Sequence, residues 1–264
     1  MSATSTILVT GGTGTLGRHV VPLLLGAGYR VRVLSRHPHD PGDGIEYVVG
    51  DLSTGEGADR AVEGVETVVH CAGTARGDGD KARELVRAAS RVGSPHMVYI
   101  SVIGAERVPV VSGVDRAMFG YFASKREGEI AIENSGLPWT TLRAAQFHDL
   151  ILKTVTALAK MPVMPVPTGT RFQPVDTAEV AARLVELALG KPAGLVPDLA
   201  GPRAYGLGEL ARGYLEAARK RQRPILPIRM PGRAARAIRD GANLPLVPAT
   251  GKRTWEDFLA EHVH

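Results

Sequence analysis

Cysteine is nearly absent from this chain: Cys71 is the one thiol in 264 residues. No internal disulfide is available, and a reducing cytoplasm is the expected setting. No apolar run approaches the ~18 residues that would suggest a transmembrane helix. The opening Met-Ser-Ala-Thr-Ser-Thr lacks the basic start and long apolar centre of a secretory signal, so neither a leader nor a membrane partner is expected. Aromatic residues make up 5% of the chain, few for base stacking, and no nucleic-acid partner is expected. No cluster of His, Cys, Asp or Glu has metal-ligand spacing, and none is expected to hold a metal. There is no repeat of solenoid period.

What is present is ordinary in bulk. Hydrophobic residues make up 44% and charged residues 22%, which excludes a disordered chain, a coiled coil and a collagen. The length corresponds to roughly 1.8 average domains, hence one large domain or a domain with an annex. The net charge of +5 is uneven: Arg203 to Arg253 holds twelve Lys/Arg against three Asp/Glu.

Apolar runs alternate with helical periodicity. Strands are predicted at 7–10, 30–35, 45–49, 66–70, 96–101 and 139–143, with helices at 16–27, 58–64, 81–92 and 121–134. Strands without polar alternation, separated by helices, indicate a parallel sheet covered on both faces. Right-handed crossovers then give a doubly wound, Rossmann-like α/β fold. After residue 144 the rhythm stops. Met161 to Pro167 is too rich in proline for a long helix. Helices are predicted at 177–189, 207–220 and 255–262. The expected organisation is a dinucleotide-binding core over 1–144 and a smaller mixed α/β substrate region over 145–264, with 171–189 returning to the core.

The glycine loop carries the strongest chemistry. Gly11, Gly14 and Gly17 lie three apart between the first strand and the first helix. The first allows a sharp turn, the second lets backbone N–H groups approach a pyrophosphate, and the third lets the helix pack on the sheet. Thr13, Thr15 and Leu16 complete the loop, and the phosphates face a helix N-terminus. At the end of strand two an NAD site carries an acid for the ribose 2′-OH. Here Ser35 and Arg36 stand instead, suited to a 2′-phosphate, so NADP(H) is expected over NAD(H). Asp51 and Leu52 end strand three beside the expected adenine. Cys71, Ala72 and Gly73 end strand four, where small residues admit the cofactor, and Cys71 is expected as a small buried thiol.

Tyr121 and Lys125 lie four apart at the start of a predicted helix and share one face. A phenol with a pKa of ~10 is a weak acid–base group at neutral pH, and a neighbouring ammonium favours its ionised form. Tyr121 is the candidate acid–base residue, and Lys125 its partner and a hold on the nicotinamide ribose.

These residues resemble the short-chain dehydrogenase/reductase superfamily, most nearly its atypical NmrA-like members that bind NAD(P)H. The resemblance covers essentially the whole chain. It rests on Thr10 to Gly17, Asp51-Leu52, Val98 to Ser101, Tyr121 with Lys125, Leu142 to Phe147 and Pro174 to Ala181. It implies a Rossmann domain with a small C-terminal substrate region, Tyr121 as acid–base residue, Lys125 as its partner and the three glycines as the phosphate loop. Catalytic members place Ser or Thr at or just after the end of strand five. Ser101 is the candidate here, and the next two residues, Val102 and Ile103, are apolar.

Gln146, Phe147 and His148 follow strand six, at the sheet end where such folds bind ligands, and are the candidate substrate contacts. His148 contacts substrate or caps the next helix. Residues 104–119 are expected as a mobile lid. Arg229, Arg233, Arg236 and Arg239 have helical spacing, interrupted by Pro231-Gly232, and are expected on a solvated face. The expected activity is NADP(H)-dependent hydride transfer to or from a small carbonyl or alcohol in the cytoplasm. The alternatives are an NmrA-like dinucleotide sensor and a non-redox enzyme on the same fold. A monomer and a homodimer both remain open.

Overall fold

The computed structural model describes residues 5–40, 42, 44–73, 77–248 and 250–263. The chain forms two compact units. The first comprises 1–101, 124–143 and 178–197, and the second 102–123, 144–177 and 198–264.

The first unit is built on a seven-stranded parallel sheet. Its strands are β1 (Thr6–Thr10), β2 (Arg30–Ser35), β3 (Ile45–Val49), β4 (Thr67–His70), β5 (His96–Val102), β6 (Trp139–Ala144) and β9 (Gly194–Leu195). The spatial order is β3-β2-β1-β4-β5-β6-β9. Val9 pairs with Val33 on one side and Val69 on the other. The order reverses at β1 and β4, so a crevice opens at their carboxyl ends. Helices α1 (Gly17–Gly26), α2 (Ala58–Val62), α3 (Asp78–Val92) and α6 (Thr177–Leu189) accompany these strands, as does α4 (Gly113–Glu133) from residue 124 on, its first half belonging to the second unit. Leu8, Val68, Met97 and Tyr99 of the sheet pack with Leu85 of α3 and Ile132 of α4. The doubly wound α/β expectation is met.

Two helices begin earlier than their sequence predicts. Helix α3 starts at Asp78, and α4 at Gly113, so the second half of the expected 104–119 lid is helical. A reciprocal cap accounts for the start of α4. The Asp115 amide donates to Ser112 Oγ at 3.0 Å, and the Ser112 amide donates to Asp115 Oδ2 at 3.2 Å.

The second unit holds α5 (His148–Leu158), β7 (Met164–Pro167), β8 (Arg171–Phe172), β10 (Tyr205–Gly206), α7 (Leu207–Ala217), β11 (Ile225–Ile228), α8 (Arg233–Arg239) and α9 (Trp255–His262). The proline-dense stretch becomes β7, paired in parallel with β11 in a two-stranded sheet. Its prolines suit a strand with a single partner. Ile151, Met164, Leu210, Tyr214, Trp255 and Phe258 share one core. Arg233 to Arg239 forms a short helix, and Arg229 stands before it, beyond the Pro231-Gly232 break.

Candidate functional site

The phosphate loop follows β1 at the switch point. Gly11 has φ +69°, and a Cβ there would stand 2.7 Å from the Ala72 amide nitrogen. A Cβ on Gly17 would overlap the Gly11 carbonyl oxygen. Only hydrogen fits at these two positions, and the loop closes through Gly14 N–H to the Gly11 carbonyl at 2.9 Å. Thr13, Gly14 and Thr15 are exposed, while Leu16 and Gly17 are buried. No side chain caps α1, and its first turn carries no acid. Backbone donors with no competing carboxylate fit a pyrophosphate.

At the end of β2, Ser35 is buried. Its Oγ accepts from the His37 amide at 3.3 Å and lies 3.0 Å from His39 Nε2. Arg36 is exposed beside it. The Ser53 amide donates to Asp51 at 2.8 Å and holds that carboxyl below the usual range, with Arg36 and Lys81 adding to the effect. Leu52 is buried.

Past β4, His70 is fully buried. Its Nδ1 lies 2.6 Å from Thr10 Oγ1, and its ring stacks on Tyr99 at 5.3 Å. Burial lowers its pKa to about 3, and the Lys125 charge adds to that. Burial likewise pushes the Cys71 thiol up to about 12. At neutral pH that sulfur is a thiol and no nucleophile. The Ala72 amide donates to Thr10 Oγ1 at 3.4 Å. Gly73 lies against Lys125: a Cβ there would stand 3.1 Å from Nζ.

Lys125 is 2% exposed. Its Nζ donates to the Ile100 carbonyl at 3.1 Å and lies 3.2 Å from Asp78 Oδ2. It also sits over the Tyr99 ring, 5.1 Å from the centroid. Asp78 has no counterpart among the sequence candidates. Asp78 lies ahead of the helix predicted at 81–92, and nothing local marks its burial against a lysine 47 residues away.

Ser101 is buried in β5 beside the Glu129 carboxylate. Arg143 grips that carboxylate through two hydrogen bonds of 2.7 and 2.8 Å, and Arg126 adds one of 2.9 Å. Burial alone would raise the Glu129 pKa, but the bonds from Arg143, with that from Arg126, hold it below the usual range.

Tyr121 lies one turn before Lys125 on α4, with 38% of its surface exposed. Its ring meets Phe122 edge-on at 6.2 Å. In the second unit, Gln146 and Phe147 lead into α5 and are half-buried. The Gln146 carbonyl accepts from the Val175 amide at 3.0 Å. His148 opens α5 and is fully buried, packed 5.8 Å from the Trp255 ring and 5.0 Å from Phe258. It caps nothing: Phe147 holds the N-cap position and makes no side-chain cap bond. Burial lowers the His148 pKa to about 4.

A family model described as NAD(P)H-binding matches residues 11–188. The chain is 30% identical to a (4-alkanoyl-5-oxo-2,5-dihydrofuran-3-yl)methyl phosphate reductase of Streptomyces griseus, with 97% of each protein covered. It is 32% identical to a ceramide reductase of Caulobacter vibrioides, over 80% of this chain and 70% of that one. In fold it is similar to an NADPH-dependent quinone oxidoreductase of Escherichia coli solved with NADPH, at TM-score 0.79 and 20% identity, covering 97% of this chain and 99% of the other. A nucleoside-diphosphate-sugar epimerase of Staphylococcus aureus matches at TM-score 0.76 and 18% identity, with the same coverage. Among the described residues no helix is long and apolar enough to cross a membrane.

Proposed function

The chain belongs to the NAD(P)H-binding family within the short-chain dehydrogenase/reductase superfamily, whose NmrA-like branch it represents, and it is an NAD(P)H-dependent oxidoreductase; on that footing we propose NADP(H)-dependent hydride transfer involving a small carbonyl or alcohol. The observation that carries the reading is the Lys125 ammonium, buried against Gly73 at the carboxyl end of β4. The Gly11–Gly17 loop lies at the same end of the same unit. Bound NADP(H) supplies or accepts the hydride. The loop amides hold its pyrophosphate, and Lys125 holds the nicotinamide ribose. Tyr121 gives its phenolic proton to the substrate oxygen in reduction and takes one in oxidation. Gln146 and Phe147 are the proposed substrate contacts; the burial of His148 in an aromatic core supports leaving it out.

Ser35 and Arg36 support NADP(H) over NAD(H). A serine and a guanidinium suit a 2′-phosphate, and no acid stands at the end of β2 to prefer a free hydroxyl. The names of the Streptomyces and Caulobacter relatives support the reductive direction. One observation favours a dinucleotide sensor instead: Ser101 lies beside the Glu129–Arg143 pair, and apolar Val102 and Ile103 follow it. No substrate hydroxyl ligand is then supplied from β5.

Calorimetric titration with NADPH and NADP⁺, followed by turnover of Tyr121→Phe, tests the reading. The expected result is tight NADPH binding, retained by Tyr121→Phe, with turnover lower by ~10²–10⁴. Unchanged turnover removes Tyr121 from the reaction. Binding without turnover on any carbonyl substrate leaves the sensor.

A further inference from the structure

The reaction as read above uses Lys125 but not the carboxylate that holds it. Asp78 is fully buried, and its Oδ2 lies 3.2 Å from Lys125 Nζ. Its other oxygen, Oδ1, lies 3.4 Å from Lys81 Nζ. The Asp78 amide donates to Ser124 Oγ at 2.8 Å, which ties the head of α3 to the residue next to Lys125 on α4. Besides Lys125, the charge that faces this carboxylate is Lys81 on its own helix, while the neighbouring His70 and Cys71 are uncharged at neutral pH. Burial holds His70 neutral, and Cys71 remains a thiol. Tyr99 offers the ammonium its ring face.

We propose that Asp78 is a positioning residue: its carboxylate fixes the Lys125 ammonium against Gly73, where that ammonium meets the cofactor ribose. The proposal rests on the ribose reading of Lys125. Desolvating a carboxylate and an ammonium is costly, and a purely structural link at this place would be served as well by apolar side chains. An ion pair instead sets the direction of a flexible four-carbon side chain. The Ile100 carbonyl at 3.1 Å and the Asp78 oxygen at 3.2 Å hold Nζ from two elements. Gly73 keeps the adjoining ground clear, because a Cβ there would crowd Nζ and Oδ2 at 3.1 and 3.2 Å.

A double-mutant cycle on NADPH affinity tests this. The variants are Asp78→Asn, Lys125→Met and the two combined, each with its dissociation constant and melting temperature measured. Asp78→Asn is expected to weaken NADPH by about tenfold, and Lys125→Met by a similar factor. The combined variant should bind no more weakly than Lys125→Met alone, because Asp78 acts only through the lysine. If Asp78→Asn does not fold, Asp78→Glu takes its place, in the wild-type and Lys125→Met backgrounds. It keeps the charge and displaces it by one methylene. A carboxylate that merely stabilises the fold would lower the melting temperature and leave the dissociation constant alone, which overturns the proposal. Equal losses in both backgrounds overturn it as well. Wild-type affinity in Lys125→Met overturns the ribose reading, and the proposal with it.

Discussion

Arg36 and Gly17 show what single positions decide. Arg36 stands exposed beside Ser35, whose hydroxyl is engaged by His37 and His39. With Ser35 partly committed, the proposed 2′-phosphate contact rests mainly on the Arg36 guanidinium. Arg36→Ala is expected to weaken NADPH by ~10–100-fold, the scale of one charge-assisted bond, and to leave NADH nearly unchanged. Matched titrations check this, and equal losses for both cofactors would remove Arg36 from phosphate recognition. Gly17 answers a different need. Its missing Cβ is where the Gly11 carbonyl passes, so Gly17→Ala must displace the loop. Loss of binding of both cofactors is expected, together with a lower melting temperature.

Helix α4 carries both members of the proposed acid–base pair, so its start matters at the level of the element. Ser112 and Asp115 cap it reciprocally, and the Asp115 carboxylate also accepts from the Ala234 amide at 3.1 Å. Ser112→Ala is expected to lower stability by about 1 kcal/mol, the usual worth of an N-cap. Urea unfolding measures it. Hydrogen exchange should rise in the first turn of α4, while the turn around Lys125 stays protected by burial. Uniform exchange along the helix would contradict a cap acting locally.

Buried histidines set the acid response of the whole molecule. His70 and His148 are fully buried, with pKa values near 3 and 4 against 6.5 when free. The native state therefore binds fewer protons than the unfolded chain. The stabilisation is complete above pH ~6.5 and is lost progressively as pH falls from there through the folded-state values. Glu129 has a lowered pKa and adds a further loss as pH falls below the ordinary carboxylate range. Urea midpoints should fall between pH 6.5 and 4. His148→Phe, which keeps an aromatic ring among Trp255 and Phe258, should flatten that fall. An unchanged slope would mean that His148 carries no part of it.

The sequence by itself determined the architecture and the glycine loop. Strand residues are apolar on both faces, helices recur at regular intervals, and a β-turn-α junction needs glycine wherever backbone approaches backbone. These are local properties, and they leave local marks. The start of α4 leaves a local mark too, in Ser112 and Asp115 three residues apart, the spacing of a reciprocal cap. Tertiary structure alone decided the state of the side chains. His148 looked like a polar residue at a ligand-binding end, yet α9 brings Trp255 and Phe258 over it from more than 100 residues away. Asp78 precedes the helix predicted at 81–92 and carries no local mark of a site, yet the fold buries it against Lys125. Burial and charge pairing depend on which distant segments meet, and no local pattern of residues encodes that meeting.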